Sequence, residues 1–320
     1  MFRWKKLGNI FNPSEVADRP WMSAYAQAPT ALVLDDVVRI YFACRPPMDA
    51  NGNYVSVSAY ADFQRSDLTT LVRVCEHPLL SLGAAGTFDE FGAYFTSVIR
   101  KDADVLAYYV GYTRCESVPF TIGVGAAISK DGGNSFARLG AGPILPCSLD
   151  EPFFLTVPRI RKFEGRWYLY YSAGKRWLQT PKRPEPVYHI RMATSSDGLN
   201  WVKAGRDLIE CTIGRDECQA CPDVFEYGGM YHMFFCYRSS TNYYGKDGGY
   251  RLGYASSSNL IDWIRDDSKA GLSISETGWD SEMVSFPHIF KLDGDIYLLY
   301  LGNQIGRHGF GLAQLESYVD

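Results

Sequence analysis

Acids and arginines recur along this chain of 320 residues at spacings that would bring them to one place. Acids stand at Asp89 and Glu90, at Asp150 and Glu151, at Asp216 and Glu217, and at Asp280 and Glu282, with Asp223 directly after Pro222. These pairs place acids at four points, each five to eight residues before the landmark of an apolar segment (Ser97, Pro158, Pro222, Pro287). Carboxylates gathered in apolar, aromatic surroundings are the usual equipment of general acid–base chemistry. Arginine keeps the same period: Arg45, Arg114, Arg176, Arg238 and Arg307 each come just after a run of aromatic and aliphatic residues. Arg159 follows Pro158 and His288 follows Pro287. A guanidinium offers a planar fork to carboxylate or phosphate, so this crown suits a polar or anionic ligand. Trp279, Trp177, Tyr243 and Tyr244 fall on adjoining loops, where they could stack on the face of a ring.

The elements that would position these groups repeat. Five segments read as short buried strands: RIYFACR (39–45), VLAYYVGY (105–112), WYLYYSAG (167–174), YHMFFCYR (231–238) and IYLLYLGN (296–303). Their centres, from Tyr41 through Ala107, Leu169 and Met233 to Leu298, are 66, 62, 64 and 65 residues apart. A second strand precedes four of them by 11 or 12 residues, centred on Pro29, Pro158, Pro222 and Pro287, and Ser97 holds that place in the second module. A small-residue strand follows, ending in a turn and an aromatic at Phe136, Trp201 and Trp263. A fourth, outer strand is expected at LIE (208–210) and its counterparts. One four-stranded sheet cannot bury both faces, and stacking copies radially does. The expectation is an all-β chain: a five-bladed β-propeller with four antiparallel strands per blade, forming a single domain over 1–320. The blades fall at roughly 21–82, 88–146, 150–210, 215–275 and 279–320, with the N-terminal residues closing the ring. In an up-and-down blade, the start of the first strand, the end of the second and the start of the third share a rim. The acids and arginines would therefore surround the mouth of the central channel.

Composition removes other classes. The chain is 46% hydrophobic and 21% charged with formal net charge −4, so disorder and nucleic-acid binding are disfavoured. It carries no run of about 18 apolar residues, so membrane insertion is not expected, and no secretory leader is visible, which makes cytoplasm the expected location. Of the eight cysteines only Cys218 and Cys221 form a CxxC, and no second pair completes four zinc ligands.

With the repeat in view, the sequence resembles the five-bladed propeller glycosidases, the superfamily of glycoside hydrolase families 32, 43, 62, 68 and 130. The likeness runs from about Ala24 to Leu315 and rests on the repeated Pro strand, the segment at 165–171 and the element ATSSDGLNW at 193–201. Segments 279–290 and 301–313 carry a closer likeness to bacterial glycosyl hydrolases of surface-polysaccharide gene sets. The resemblance implies a carbohydrate-active enzyme, a glycoside hydrolase using one carboxylate as base or nucleophile and one as acid on a saccharide or sugar-phosphate substrate. It leaves open phosphorolysis or transglycosylation, and a non-catalytic glycan or nucleotide-sugar binder on a degenerate scaffold. No cofactor is required, although relatives of family 43 hold a channel calcium, a place that His288 could serve. The acids usual in the families are absent here: Ala28, Thr156, Ala220 and Ser285 occupy the pre-proline places, and Val157-Pro158-Arg159 stands where family 130 has Asp-Pro-Arg. Catalytic carboxylates must then come from the displaced set. Glu217 and Glu282 lead, each five residues before a proline in an otherwise uncharged stretch, with Glu90, Glu151 and Asp223 behind them. Arg45, Arg159, Arg176, Arg238, Arg307, His288 and Trp279 are the expected substrate contacts.

Overall fold

Short alternating aromatic and small-residue runs divided by Gly, Asp and Asn turns are strand-forming throughout. The computed structural model describes residues 1–319 and builds twenty strands from them. After β1 (Phe2–Phe11), the strands β2 (Ala24–Val33), β3 (Val37–Arg45), β4 (Ser56–Gln64) and β5 (Asp67–Val74) form an antiparallel group. The unit returns as β6 (Gly92–Lys101), β7 (Asp104–Arg114), β8 (Phe120–Ser129) and β9 (Ala137–Arg138). A third copy is β10 (Leu155–Phe163), β11 (Arg166–Leu178), β12 (Glu185–Ser195) and β13 (Val202–Lys203). A fourth is β14 (Glu217–Tyr227), β15 (Met230–Ser239), β16 (Arg251–Ser257) and β17 (Ile264–Arg265). The last three strands, β18 (Ser285–Leu292), β19 (Asp295–Leu301) and β20 (Phe310–Tyr318), take β1 as their outer partner. Two parallel pairs, Ser56–Gly92 and Val57–Ala93, join the first two groups into one eight-stranded sheet; the other three sheets are four-stranded.

The first strand of every group touches the first strand of the next, and β18 packs back against β2. Three of the outer strands are two-residue pairings, and one sits elsewhere than expected. In the third group the fourth strand is Val202–Lys203, paired with Ala193 and Thr194, not 208–210. The chain turns away at Gly205, whose φ of 72° suits glycine, and Leu208 keeps a single backbone bond to Ile190.

The second strands carry the core. Tyr41, Phe42, Tyr108, Tyr109, Tyr170, Tyr171, Phe234, Phe235 and Tyr300 are all buried, each stabilising the fold by about 1.5–3 kcal/mol. Glycine across the ladder makes room for two of them. A Cβ on Gly125 would lie 2.2 Å from the Tyr109 ring, and one on Gly253 would lie 2.3 Å from the Phe235 ring. Strand β1 is anchored at its start: Phe2 is fully buried among Phe225, Phe234 and Tyr254, and Trp4 Nε1 donates to the Ala270 carbonyl. No helix among the described residues is long and apolar enough to cross a membrane.

Candidate functional site

Proline inside a first strand cannot donate to the ladder, and each one is accommodated by a bulge. Pairing slips between Gln27 and Thr30, Thr156 and Arg159, Ala220 and Asp223, and Ser285 and His288. The residue before each proline, Ala28, Val157, Cys221 or Phe286, has φ between 45° and 53°, a strained choice for side chains other than glycine. Thr156, Val157, Ala220 and Phe286 from these bulges line a cavity of about 1020 Å³. The ends of second strands supply Arg45, Arg114 and Arg238, the segment after β19 supplies Arg307, and the starts of third strands supply Glu185, Tyr188 and Tyr250.

The cavity is rich in arginine and tyrosine. Among the described residues, five arginines (Arg45, Arg114, Arg183, Arg238, Arg307) face it against two glutamates, Glu185 and Glu282, with no lysine, histidine or aspartate. Arg45 stacks over Tyr25 at 4.4 Å and Tyr54 at 5.1 Å, and Arg238 over Tyr243 at 3.7 Å. Arg238 Nη2 donates to the Tyr188 hydroxyl at 3.2 Å, and that hydroxyl lies 2.5 Å from the Tyr250 hydroxyl. Burial opposes the charge on Arg238, but the facing oxygens of Tyr188 and Tyr250 outweigh it and keep its pKa well up. Its Nε is buried without a partner, as is that of Arg45. Among the described residues no carboxylate lies within ion-pair distance of Arg45, Arg238 or Arg307, whereas Arg114 reaches Asp49 at 3.7 Å and Arg183 reaches Glu185 at 2.9 Å. Three cations aimed at one space without counter-ions make a site for an anion.

Among the carboxylates expected from sequence, the structure brings only Glu282 to this cavity, half-buried and with no hydrogen bond on its carboxylate among the described residues. Its backbone N–H is fixed by Asn303 Oδ1 at 2.7 Å. Glu217 lies elsewhere: its carboxylate accepts from Arg265 at 2.6 Å, Gln219 at 2.9 Å and the backbone of Thr212 and Ile213. Burial would raise its pKa, but these donors hold it below the usual range. Glu151 is buried under Tyr171, Arg191 and Lys203. Glu90 Oε2 accepts from the Gly86 N–H, outside the cavity lining. The periodic acids share one arrangement. Asp89 meets Arg138, Glu151 meets Lys203, Glu217 meets Arg265 and Asp280 meets Lys6, in each case a cation on the outermost strand of its own group. Three of the four also accept from a second-strand tyrosine: Tyr109, Tyr171 and Tyr300. These acids clamp the start of each of the last four groups to its outer edge.

Of the expected substrate contacts, Arg45, Arg238 and Arg307 line the cavity, and Arg176, Arg159, His288 and Trp279 do not. Arg176 pairs with Asp216 at 2.5 Å, and Trp279 packs on Tyr300 at 5.1 Å. Arg159, Asp223 and His288 all follow a proline, and they fill the axis between the first strands. Arg159 donates to the carbonyls of Thr96, Pro29 and Pro287, on three other groups. Asp223 accepts both nitrogens of Arg161, at 2.9 and 2.7 Å, and the Ile289 N–H at 2.7 Å; His288 Nδ1 lies 2.9 Å from it. Burial raises the Asp223 pKa, but Arg161, His288 and Arg159 overcome it and leave it well below the carboxylate range. Two guanidiniums beside Asp223 make this axis a poor fit for calcium, and no group of three or more potential metal ligands stands together among the described residues. All eight cysteines are free thiols.

Glu185 is the acid that the sequence pattern missed. Its signal was topological, at the start of a third strand on the mouth rim, where no repeat marks it. Its carboxylate lies 3.4 Å from the Tyr243 hydroxyl.

No family model matches the chain. An uncharacterised protein of Mycobacterium tuberculosis, present in two strains, is 32% identical over 316 residues, covering 98% of this chain and 99% of its own. Among solved structures, a glycoside hydrolase covers 99% of this chain and 93% of its own at TM-score 0.76 and 17% identity. A structure from the family 130 mannoside phosphorylases and hydrolases covers 98% of this chain and 94% of its own at TM-score 0.67 and 15% identity. A thermostable family-43 glycoside hydrolase covers 93% and 91% at TM-score 0.65 and 15% identity. The fold is therefore that of the propeller glycosidases.

Proposed function

From a chain that belongs to one family with the full-length mycobacterial protein and has the fold of propeller glycosidases, we propose a carbohydrate-active, glycosidase-like enzyme whose cavity takes an anionic saccharide. Its five strand groups are the blades of a five-bladed β-propeller, supported by first strands that neighbour one another in a cycle and by β1 completing the last sheet. The observation that carries the functional reading is the cavity itself: Arg45, Arg238 and Arg307 without counter-ions, tyrosines for ring stacking, and two carboxylates. Glu282, unpartnered, is the group that gives or takes the proton at the glycosidic oxygen, and Glu185 is the second carboxylate that assists attack at the anomeric carbon. Arg238 and Arg45, each stacked on tyrosine, hold the anionic substituent and so fix the sugar between the two acids. A sugar uronate or sugar phosphate has the required charge.

Purified protein assayed on aryl glycosides of neutral and acidic sugars, with and without inorganic phosphate, tests the reading. Turnover of an acidic glycoside that falls about 10²–10⁴-fold in Glu282→Gln is the expected outcome. Phosphate dependence would make the reaction phosphorolysis. Unchanged turnover in both Glu282→Gln and Glu185→Gln would remove the assignment, and binding without turnover of any glycoside would make the protein a saccharide binder.

A further inference from the structure

Outside the lining of the mouth cavity, where the segment after β13 runs back along β12, three side chains stand as nucleophile, base and orienter. Cys211 Sγ lies 3.5 Å from His189 Nε2, and His189 Nδ1 lies 2.9 Å from Asp207 Oδ2. Asp207 also accepts from Arg191 Nε at 2.7 Å and Lys175 Nζ at 3.1 Å. Burial works against its carboxylate, but His189, Arg191 and Lys175 prevail and hold its pKa well below the usual range. With ionised Asp207 accepting at Nδ1, the neutral tautomer that carries its proton there presents an Nε2 lone pair towards the sulfur. Cys211 is only half-buried, in contrast to the fully enclosed Cys44, Cys218, Cys221 and Cys236.

We propose that Cys211, His189 and Asp207 form a nucleophilic thiol site, separate from the mouth cavity, at which a small uncharged carbon electrophile alkylates Cys211. Besides His189, Gln219 Nε2 lies 3.9 Å from the sulfur, and Glu217 from β14, Arg265 from β17, Arg176 from β11 and Asp207 act on it through their charge. Burial pushes the thiol pKa up, Glu217 and Asp207 add to that, and Arg265 and Arg176 oppose it. The resting sulfur is therefore protonated, and His189 must take its proton during attack. In that step an S–C bond forms, the bond from carbon to its leaving group breaks with its electron pair, and the thiol proton moves to Nε2. Asp207 is a positioning residue, acting through the imidazole.

The full chain treated with iodoacetamide at pH 7.5 and read by peptide mass spectrometry decides this, with the exposed Cys115 and Cys147 as internal references. Cys211 should react at least about tenfold faster than either reference despite its lower exposure, and His189→Ala should bring it below both. Asp207→Asn should slow Cys211 less and move the pH profile of its alkylation, leaving Cys115 and Cys147 unchanged. Alkylation of Cys44 or Cys236 reports any loss of fold in a variant, in which case the wild-type ratio stands as the test. A Cys211 rate at or below the references in the wild type, or an unchanged rate in folded His189→Ala, overturns the proposal.

Discussion

His288 should make the fold lose stability in mildly acidic solution, before carboxylates titrate. It is 4% exposed on the axis between the first strands, facing Asp223, Arg159 and Arg161. Burial lowers its pKa to about 4, while the unfolded chain holds histidine near 6.5. Above pH 6.5 both states are neutral and the native imidazole contributes in full. As pH falls from 6.5 towards 4, the unfolded state takes up a proton that the folded state refuses, so stability is lost across that window. A pKa of about 4 in the folded chain against 6.5 in the unfolded one corresponds to about 3 kcal/mol. A chain of 320 residues unfolds with an entropy of about 0.7 kcal/mol per kelvin, so Tm should fall by about 5 °C from this residue. The assay is a set of thermal melts from pH 8 to pH 4 for the wild type and for His288→Asn, whose amide nitrogen can keep the contact with Asp223. The wild type should lose about 5 °C more than the variant over the window. Parallel curves would refute the reasoning, because they would show that His288 is either not buried neutral or not titrating on unfolding.

Three other outcomes follow from packing and ion pairs. Glu217→Gln removes one of the two carboxylates that meet the buried Arg265, which keeps Asp267, and should cost about 1–3 kcal/mol in denaturant midpoint analysis while leaving ligand preference unchanged. Gly253→Ala forces a Cβ into the Phe235 ring and should destabilise by about 1–3 kcal/mol, measured the same way. Phe2→Ala should cost about 3–5 kcal/mol in the same titration, because β1 completes the last sheet and Phe2 is fully enclosed.

The repeat was legible because its cause is local. Aromatic second strands, proline-bearing first strands and Asp or Asn turns follow from patterning alone, and all-β structure with four-stranded groups comes with them. The chemistry was harder to read for the same reason. Acids that recur in four of the five modules, Asp89, Glu151, Glu217 and Asp280, serve the module: each meets an outer-strand cation. A feature kept from repeat to repeat belongs to the scaffold, and a site must break the symmetry. Glu282 and Glu185 do so, and Glu185 carried no periodic mark. The arginines divided similarly. Arg45, Arg238 and Arg307 reach the cavity without acids, whereas Arg176 meets Asp216 and Arg159 reaches the axis. Spacing gives the rim but not the partner, since an ion pair such as Arg265 with Glu217 joins residues 48 positions apart. The outer strands are two-residue pairings in three groups, too short for any sequence pattern to fix.

The central claim is that the cavity selects a negatively charged saccharide through arginines without counter-ions. Its most direct test is a thermal-shift titration of one neutral monosaccharide against its uronate and its phosphate, in the wild type and in Arg238→Leu. A ligand held only by the folded state at a hundred times its Kd adds about 2.7 kcal/mol, or about 4 °C for this chain. The charged sugars should give that shift, the neutral parent should not, and Arg238→Leu should abolish it. Equal stabilisation by the neutral parent, or a shift that survives in Arg238→Leu, would contradict the account.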